Sequence, residues 1–433
     1  MIFESKEKDM NNMMKKGLLT CAISLGAAQG LMASKIDLTT HGRLSAGFFG
    51  YSAPKNGSSN FNNLGLNAYV KADFGLNENW NVGMGAAGIW NVLSIFPIDN
   101  NLLPYTSNGD VADIYMVYKK NGLKVVAGRY NIDTGSTIVR SSAFVNGHLQ
   151  GVSVQWNPSG NTSAYKVWAH YINSFLDNGY LPGRIGSDLA MLNPYFDSGK
   201  AKIGGEVFLF GADYSKKGIF LSPYLLINTK APNGTTKMGF NPVFQIGASA
   251  KYTYKFNPNW HSITSANLMF QYGDMANNNA AADNFLGFIY ADEEVKYVRY
   301  GTNKAGKQYE IYSISFGGGA RAVLANEQGR VFSLNDRTRF YGKFLNGAGI
   351  GQGGTWTLYL FGKMNHRLFE AQVLAGGGTY TEISAVGLWK AYRQNRNSDE
   401  GSFLGFDVGG GYVFAHGAGA ANHGLMAFAK LSY

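Results

Sequence analysis

Seven histidines, one cysteine, 28 acidic residues and 38 lysines and arginines are the groups in this 433-residue chain that could do chemistry. The histidines are scattered, and none shows the His-Glu-x-x-His spacing of a helical zinc site. His416 and His423 flank one loop and read as polar loop residues. Cys21 stands alone, which excludes an intramolecular disulfide framework and a cysteine-rich zinc site. There is no Gly-x-Ser-x-Gly elbow, and a serine hydrolase assembled across strands is disfavoured. Gly349-Ile-Gly351-Gln-Gly-Gly354 has the letters of a dinucleotide fingerprint, but that motif must open a helix, and a strand pattern follows here. It reads as a loop tip. No catalytic residue, cofactor or metal is expected, and the chain is not expected to be an enzyme.

Charge remains. The net charge is +10, yet the basic runs are pairs such as Lys119-Lys120 and Lys216-Lys217, each at a turn signal. Nucleic-acid binders cluster their cations in stripes or patches, so nucleic acid is not expected as a partner. Instead, single cations recur on the polar face of alternating segments: Lys71, Lys251, Lys255, Arg321, Arg337, Arg339, Lys363, Lys390 and Lys430. Acids such as Asp73, Glu370 and Asp407 accompany them.

The elements that carry these cations repeat every two residues. In 66–74, Leu66, Ala68, Val70, Ala72 and Phe74 share one face, and Asn67, Tyr69, Lys71 and Asp73 the other. In 242–256 one face runs Phe244, Ile246, Ala248, Ala250, Tyr252, Tyr254, Phe256. Only a strand puts residues two apart on one face. The same pattern recurs at 309–323, 355–363 and 403–414. Segments 147–156 and 219–227 alternate poorly. No run reaches the roughly 18 apolar residues of a membrane-crossing helix. Glycine (57 residues) and aromatics (14%) are abundant, proline is scarce (10), and charged residues are 15% of the chain. That composition suits a transmembrane barrel with one lipid face and one wet face. A charge on the lipid face costs about 2–4 kcal/mol at mid-membrane for Lys or Arg, so strand cations should face the lumen.

Connections alternate between short (76–80, 119–122, 157–162, 215–218, 256–260, 326–330, 363–367) and long (51–63, 94–110, 130–147, 174–201, 229–241, 274–307, 343–354). Short periplasmic turns and long outer loops are the rhythm of outer-membrane barrels. The expectation is an all-β, transmembrane antiparallel barrel of about 18 strands, with 16 as the alternative. The connection near 378–382 is short where a long loop is due.

Two terminal features fit export to that membrane. Lys15-Lys16 precede a short apolar run that ends in small residues at Ala33, with Leu31 at the −3 position: a signal peptide with an extended start over 1–33. Its removal takes four lysines and three acids and leaves +9 and no cysteine on 34–433, read as one barrel domain. The final segment, 423–433, alternates and ends on Tyr433, an expected recognition signal for barrel-assembly machinery.

One local pattern is more specific. Gly128-Arg129, Asp133, Arg140, Phe144 and Gly151-Val152 resemble the strand-and-loop signature of the OprD-type substrate-specific porins and the related Hof-type outer-membrane proteins. The family's Leu-Pro after the arginine is replaced by Ser141-Ser142. The resemblance implies an eighteen-stranded, monomeric barrel in the bacterial outer membrane. Its third loop would fold inward, with Arg129, Asp133, Arg140 and Phe144 at the constriction, and a basic ladder would guide carboxylate-bearing solutes. The function it implies is passive diffusion of small hydrophilic, anionic solutes. The alternative is a surface adhesin or receptor whose outer loops, 274–307 above all, bind a partner.

Overall fold

The computed structural model describes residues 37–52, 61–91, 108–131, 148–158, 164–176, 206–232, 240–273, 285–302, 306, 308–327, 329, 331, 339–341, 351–393, 404–417 and 420–432. Among them, eighteen strands form one sheet. In chain order they are β1 (Asp37–Ser52), β2 (Phe61–Gly75), β3 (Trp80–Asn91), β4 (Asn108–Lys120), β5 (Leu123–Asn131), β6 (His148–Trp156), β7 (Tyr165–Leu176), β8 (Val207–Lys216) and β9 (Ile219–Pro232). There follow β10 (Phe240–Lys255), β11 (Trp260–Tyr272), β12 (Phe285–Thr302), β13 (Gln308–Leu324), β14 (Trp356–His366), β15 (Phe369–Gly378), β16 (Thr381–Arg393), β17 (Gly405–Gly417) and β18 (Ala420–Ser432). Every strand pairs antiparallel with its sequence neighbours, and β1 pairs with β18, so the sheet closes and has no edge.

Burial separates the two faces. On β14 Trp356, Leu358 and Leu360 are 47–71% exposed, whereas the alternate residues Thr357, Tyr359 and Phe361 are 0–5% exposed. The exposed row is apolar and the buried row carries the polar groups, the reverse of a soluble protein and the arrangement of a barrel in lipid. Rings pair across strands at the short-turn end: Trp80 with Tyr118 (4.8 Å between centroids), Tyr165 with Tyr214 (5.0 Å) and Trp260 with Tyr297 (5.1 Å). These amphipathic rings mark a membrane–water boundary.

Local chemistry explains the short turns. Asn121-Gly122 (φ 50° and 78°) and Lys217-Gly218 (φ 50° and 82°) are two-residue hairpin turns with both residues left-handed. The turns 76–79 and 256–259 share another solution. Asn77 Oδ1 accepts from the amides of Asn79 and Trp80 (2.9 and 3.0 Å), and Asn257 Oδ1 accepts from those of Asn259 and Trp260 (both 2.9 Å).

The expected number of strands is observed, with one exchanged for another. The stretch 274–307, expected as a long outer loop, contains β12, and the connection after β12, 303–307, lies at the short-turn end. The turn expected at 326–330 and the strand it would have opened are replaced by a long connection between β13 and β14, in which Arg339 belongs to no strand. The run Ala291-Asp-Glu-Glu-Val-Lys296 reads as solvated loop because its inward acids depend on a distant partner described below. Strand 219–232 blurs its alternation because Tyr224 and Leu226 make its inward row partly apolar too. Strand 148–156 alternates, with Val152, Val154 and Trp156 outward and Gly151, Ser153 and Gln155 inward. Ile172, Val207, Leu209, Leu226 and Val243 face inward and are fully buried (0% exposed), so the wall there is packed rather than bathed in water. Residues 1–33 and Tyr433 lie outside the described residues.

Candidate functional site

The inward rows of the barrel bring together cations that the sequence scatters over 360 positions. Lys71, Lys124, Lys166, Lys251, Lys296, Lys363, Lys390 and Lys430 all stand on inward rows, and all lie in the short-turn half of their strands. Their partners are inward acids. Lys71 Nζ is 3.2 Å from Asp73 Oδ2, Lys166 Nζ 2.7 Å from Asp213 Oδ2, Lys296 Nζ 3.3 Å from Glu310 Oε2, and Lys430 Nζ 3.2 Å from Asp407 Oδ2. Lys390 pairs with Glu370. Among the described residues Lys251 and Lys363 are exposed on the inward face and make no ion pair. The belt therefore has more positive than negative charge, with ammonium groups outside any ion pair on β10 and β14.

A second cluster lies on the wall β12–β16. Arg339 Nε donates to Asp292 Oδ2 (2.7 Å) and its Nη2 to Glu294 Oε2 (2.6 Å), while the guanidinium lies 3.8 Å from the centroid of the Phe361 ring. Phe340 is fully buried between Tyr359 and Tyr380 (centroids 4.9 and 5.8 Å). The amide of Tyr341 donates to Glu382 Oε1 (2.7 Å), and Gln372 Nε2 donates to the Arg339 carbonyl (3.2 Å). All these wall residues belong to inward rows except Tyr380, which lies in the turn between β15 and β16. A segment of the long connection between β13 and β14 is thus folded into the barrel and fastened there at three consecutive residues. Burial works against the charge on Arg339, but the hydrogen bond and charge of Asp292, with Tyr290 and Glu294, raise its pKa overall, so it stays protonated.

On the opposite arc, β2 and β4 exchange hydrogen bonds over β3. Tyr69 donates to Asp113 Oδ2 (2.7 Å) and Tyr115 donates to Asp73 Oδ1. Both reach past glycines: a Cβ on Gly83 would come within 2.2 Å of the Tyr115 ring, and one on Gly85 within 2.8 Å of Asp113 Oδ2. Lys71 covers the Tyr115 ring at 4.8 Å.

Of the ladder expected from sequence, Lys71, Lys251, Lys255, Lys363, Lys390 and Lys430 occupy inward rows, as does Arg321, which is 3% exposed and stacked on Phe288 (5.2 Å). Arg339 reaches the lumen from a loop rather than a strand. Arg337, Asp133, Arg140 and Phe144 lie outside the described residues. Arg129 is corrected: β5 pairs it with Ile114, which is 51% exposed on the outward face. Its guanidinium is held at the wall by the Val111 carbonyl and Gln150 Oε1 (2.9 Å), so it does not line the lumen. Sequence reading missed Lys124, Lys166 and Lys296. Counting every second residue back from the Lys119–Gly122 turn would have found Lys124. Ser153 and His170 share a hydrogen bond, but at 1% and 2% exposure no substrate reaches them. His423 Nδ1 bonds the Tyr412 hydroxyl (2.6 Å), and among the described residues no cluster suited to a metal is formed.

A closed eighteen-stranded sheet with an apolar outside and a charged, narrowed inside has the fold of an outer-membrane β-barrel. The chain is similar to OccAB4 of Acinetobacter baumannii (10% identity, TM-score 0.61, covering 92% of this chain and 98% of that one) and to OccAB1 of the same organism (11%, 0.60, 92% and 96%). It is also similar to the outer membrane protein opdK of Pseudomonas aeruginosa (10%, 0.56, 92% and 99%). At such identities the likeness is one of fold. No protein-family model and no curated protein matches the chain.

Proposed function

We propose that this chain is a porin of the bacterial outer membrane, a passive monomeric channel for small hydrophilic solutes with a preference for anionic, carboxylate-bearing ones. The observation that carries the reading is the belt of inward lysines, in which Lys251 and Lys363 make no ion pair among the described residues and Lys251 has no carboxylate beside it. A narrow water column between low-dielectric walls focuses the field of such charges on a passing ion. Carboxylates spaced among the lysines keep each step shallow, so an anion is attracted without being trapped. The fastened segment Arg339–Phe340–Tyr341 narrows the lumen from the outer side. The third connection, 132–147, with Arg140 as its cation, belongs to the same proposal as a second narrowing element. So does the export reading of residues 1–33.

The test is single-channel recording of the purified protein in a planar bilayer. The expected result is an ohmic pore whose reversal potential in a salt gradient favours anions, and Lys251→Glu and Arg140→Glu should each move it toward cations. A closed membrane, or a pore indifferent to both changes, would overturn the reading.

A further inference from the structure

The outward face of the short-turn end carries charge that conduction does not use. Lys120 continues the outward row of Tyr118 on β4, and Lys216 that of Tyr214 on β8. Lys217 forms the adjoining turn tip. Arg299 follows Tyr297 on the outward row of β12, opposite Tyr312, and Arg367 occupies the turn between β14 and β15. All five are exposed, and none makes an ion pair with a described residue. Among the described residues of the short turns, the acid at this rim is Glu78.

Lys120, Lys216 and Arg299 each stand two residues beyond a ring of the girdle formed by Trp80–Tyr118, Tyr165–Tyr214 and Trp260–Tyr297. Lys217 stands three beyond, and Arg367 lies in a turn at the same end. That is the level of lipid phosphates when the rings sit at the hydrocarbon boundary. Free solutes approach the pore through the lumen, whereas Lys120, Lys216 and Arg299 stand on outward rows and point away from it. We infer that the short-turn rim is a binding collar for anionic phospholipid headgroups in the leaflet it touches. The phosphate and net charge of such a lipid match an ammonium–aromatic pair, in which the ring lies on the acyl chain and the cation meets the headgroup. A zwitterionic lipid brings its own ammonium and gains little. Lys217 strengthens the case. It occupies a left-handed position where asparagine or glycine is more comfortable, so its charge is held there against its backbone preference.

The inference does not depend on the channel reading and is tested without conduction. The full-length protein is refolded into bilayers mixing phosphatidylcholine with brominated phosphatidylglycerol, and then the reverse. In a Trp90→Phe/Trp356→Phe background, quenching of Trp80, Trp156, Trp260 and Trp389 gives the relative lipid affinity at this end. The expected result is a preference of at least about fivefold for the anionic lipid at low salt, falling as salt rises. In Lys120→Gln/Lys216→Gln/Lys217→Asn/Arg367→Gln it should fall to near unity. If that variant fails to fold, Lys216→Gln/Lys217→Asn should lower the preference at least about twofold. Equal affinities in the unaltered protein, or a preference unchanged in the variants, overturn the inference.

Discussion

Arg339 Nε sits 2.7 Å from Asp292 Oδ2, a contact between residues 47 positions apart that joins a loop to the inside of the barrel wall. The same guanidinium reaches Glu294, and both acids are at most 11% exposed in their side chains. Removing one partner of a buried pair leaves the other uncompensated, at a cost of about 3–5 kcal/mol. Arg339→Ala should therefore release the segment and leave two carboxylates facing the pore. Single-channel recordings should show a larger and noisier conductance, with reversal potential moved toward cations. Arg339→Lys keeps the charge but loses the two-pronged contact, and should fall between.

The exchange between β2 and β4 over β3 gives a stability prediction. Tyr115→Phe removes the hydroxyl that Asp73 accepts, which should cost about 1–3 kcal/mol, reduced by whatever Lys71 still supplies. Gly83→Ala should cost a similar amount for a different reason, since its methyl group would occupy the place of the Tyr115 ring. The two losses should be strongly non-additive, because each change displaces the same contact. Denaturant midpoints of the detergent-folded barrel, for both single variants and the double, test this.

The strands were legible in the sequence wherever one face stayed apolar and the other polar. β10 shows this plainly, with Phe244, Ile246, Tyr252 and Tyr254 outside and Gln245, Ser249 and Lys251 inside. β12 was not legible, because Asp292, Glu294 and Lys296 inside and Glu293 outside break the pattern. What makes it a strand is Arg339 and Glu310, supplied from elsewhere in the chain. Arg129 misled for the opposite reason. A cation beside a glycine at a strand end looks lumenal, but the pairing of Gly128 with Tyr115 fixes the glycine inward and the arginine outward. Register, which is non-local, decides such cases.

Salt should separate lumenal charges by their company. Lys251→Glu replaces a cation with no carboxylate beside it among the described residues, and Lys363→Glu one that makes no ion pair there but stands within electrostatic reach of Glu294. Lys430→Gln instead removes an ion pair from Asp407, which is buried at 2% exposure. The first two should shift selectivity strongly at about 0.1 M salt, where screening reaches about 10 Å, and weakly at about 1 M, where it reaches about 3 Å. Lys430→Gln should instead lower stability at every salt concentration, because the ion pair it removes is shielded from salt by protein. Reversal potentials and unfolding midpoints measured side by side over that salt range would show whether the two classes separate.

Glu293 gives the last prediction, because it stands on the outward row of β12. It pairs with Thr264 on β11, four residues from the level at which Trp260 meets Tyr297. At about 3.3 Å per residue and a tilt of about 40°, that places the carboxylate about 10 Å inside the ring girdle, within hydrocarbon. Thr264 Oγ1 donates to it (2.5 Å), as does Ser262. Two hydroxyl hydrogen bonds compensate part of the desolvation of a carboxylate, not all of it, and each hydroxyl alone can turn to its own backbone. Glu293→Leu should therefore stabilise the barrel in a bilayer by about 1 kcal/mol, despite the lost contacts. The same change in the inward neighbour, Glu294→Leu, should destabilise it, because Arg339 loses a partner there. Opposite signs at adjacent residues are the expected outcome of folding titrations in lipid vesicles. A loss at both positions would mean that the outward row at Glu293 does not face lipid.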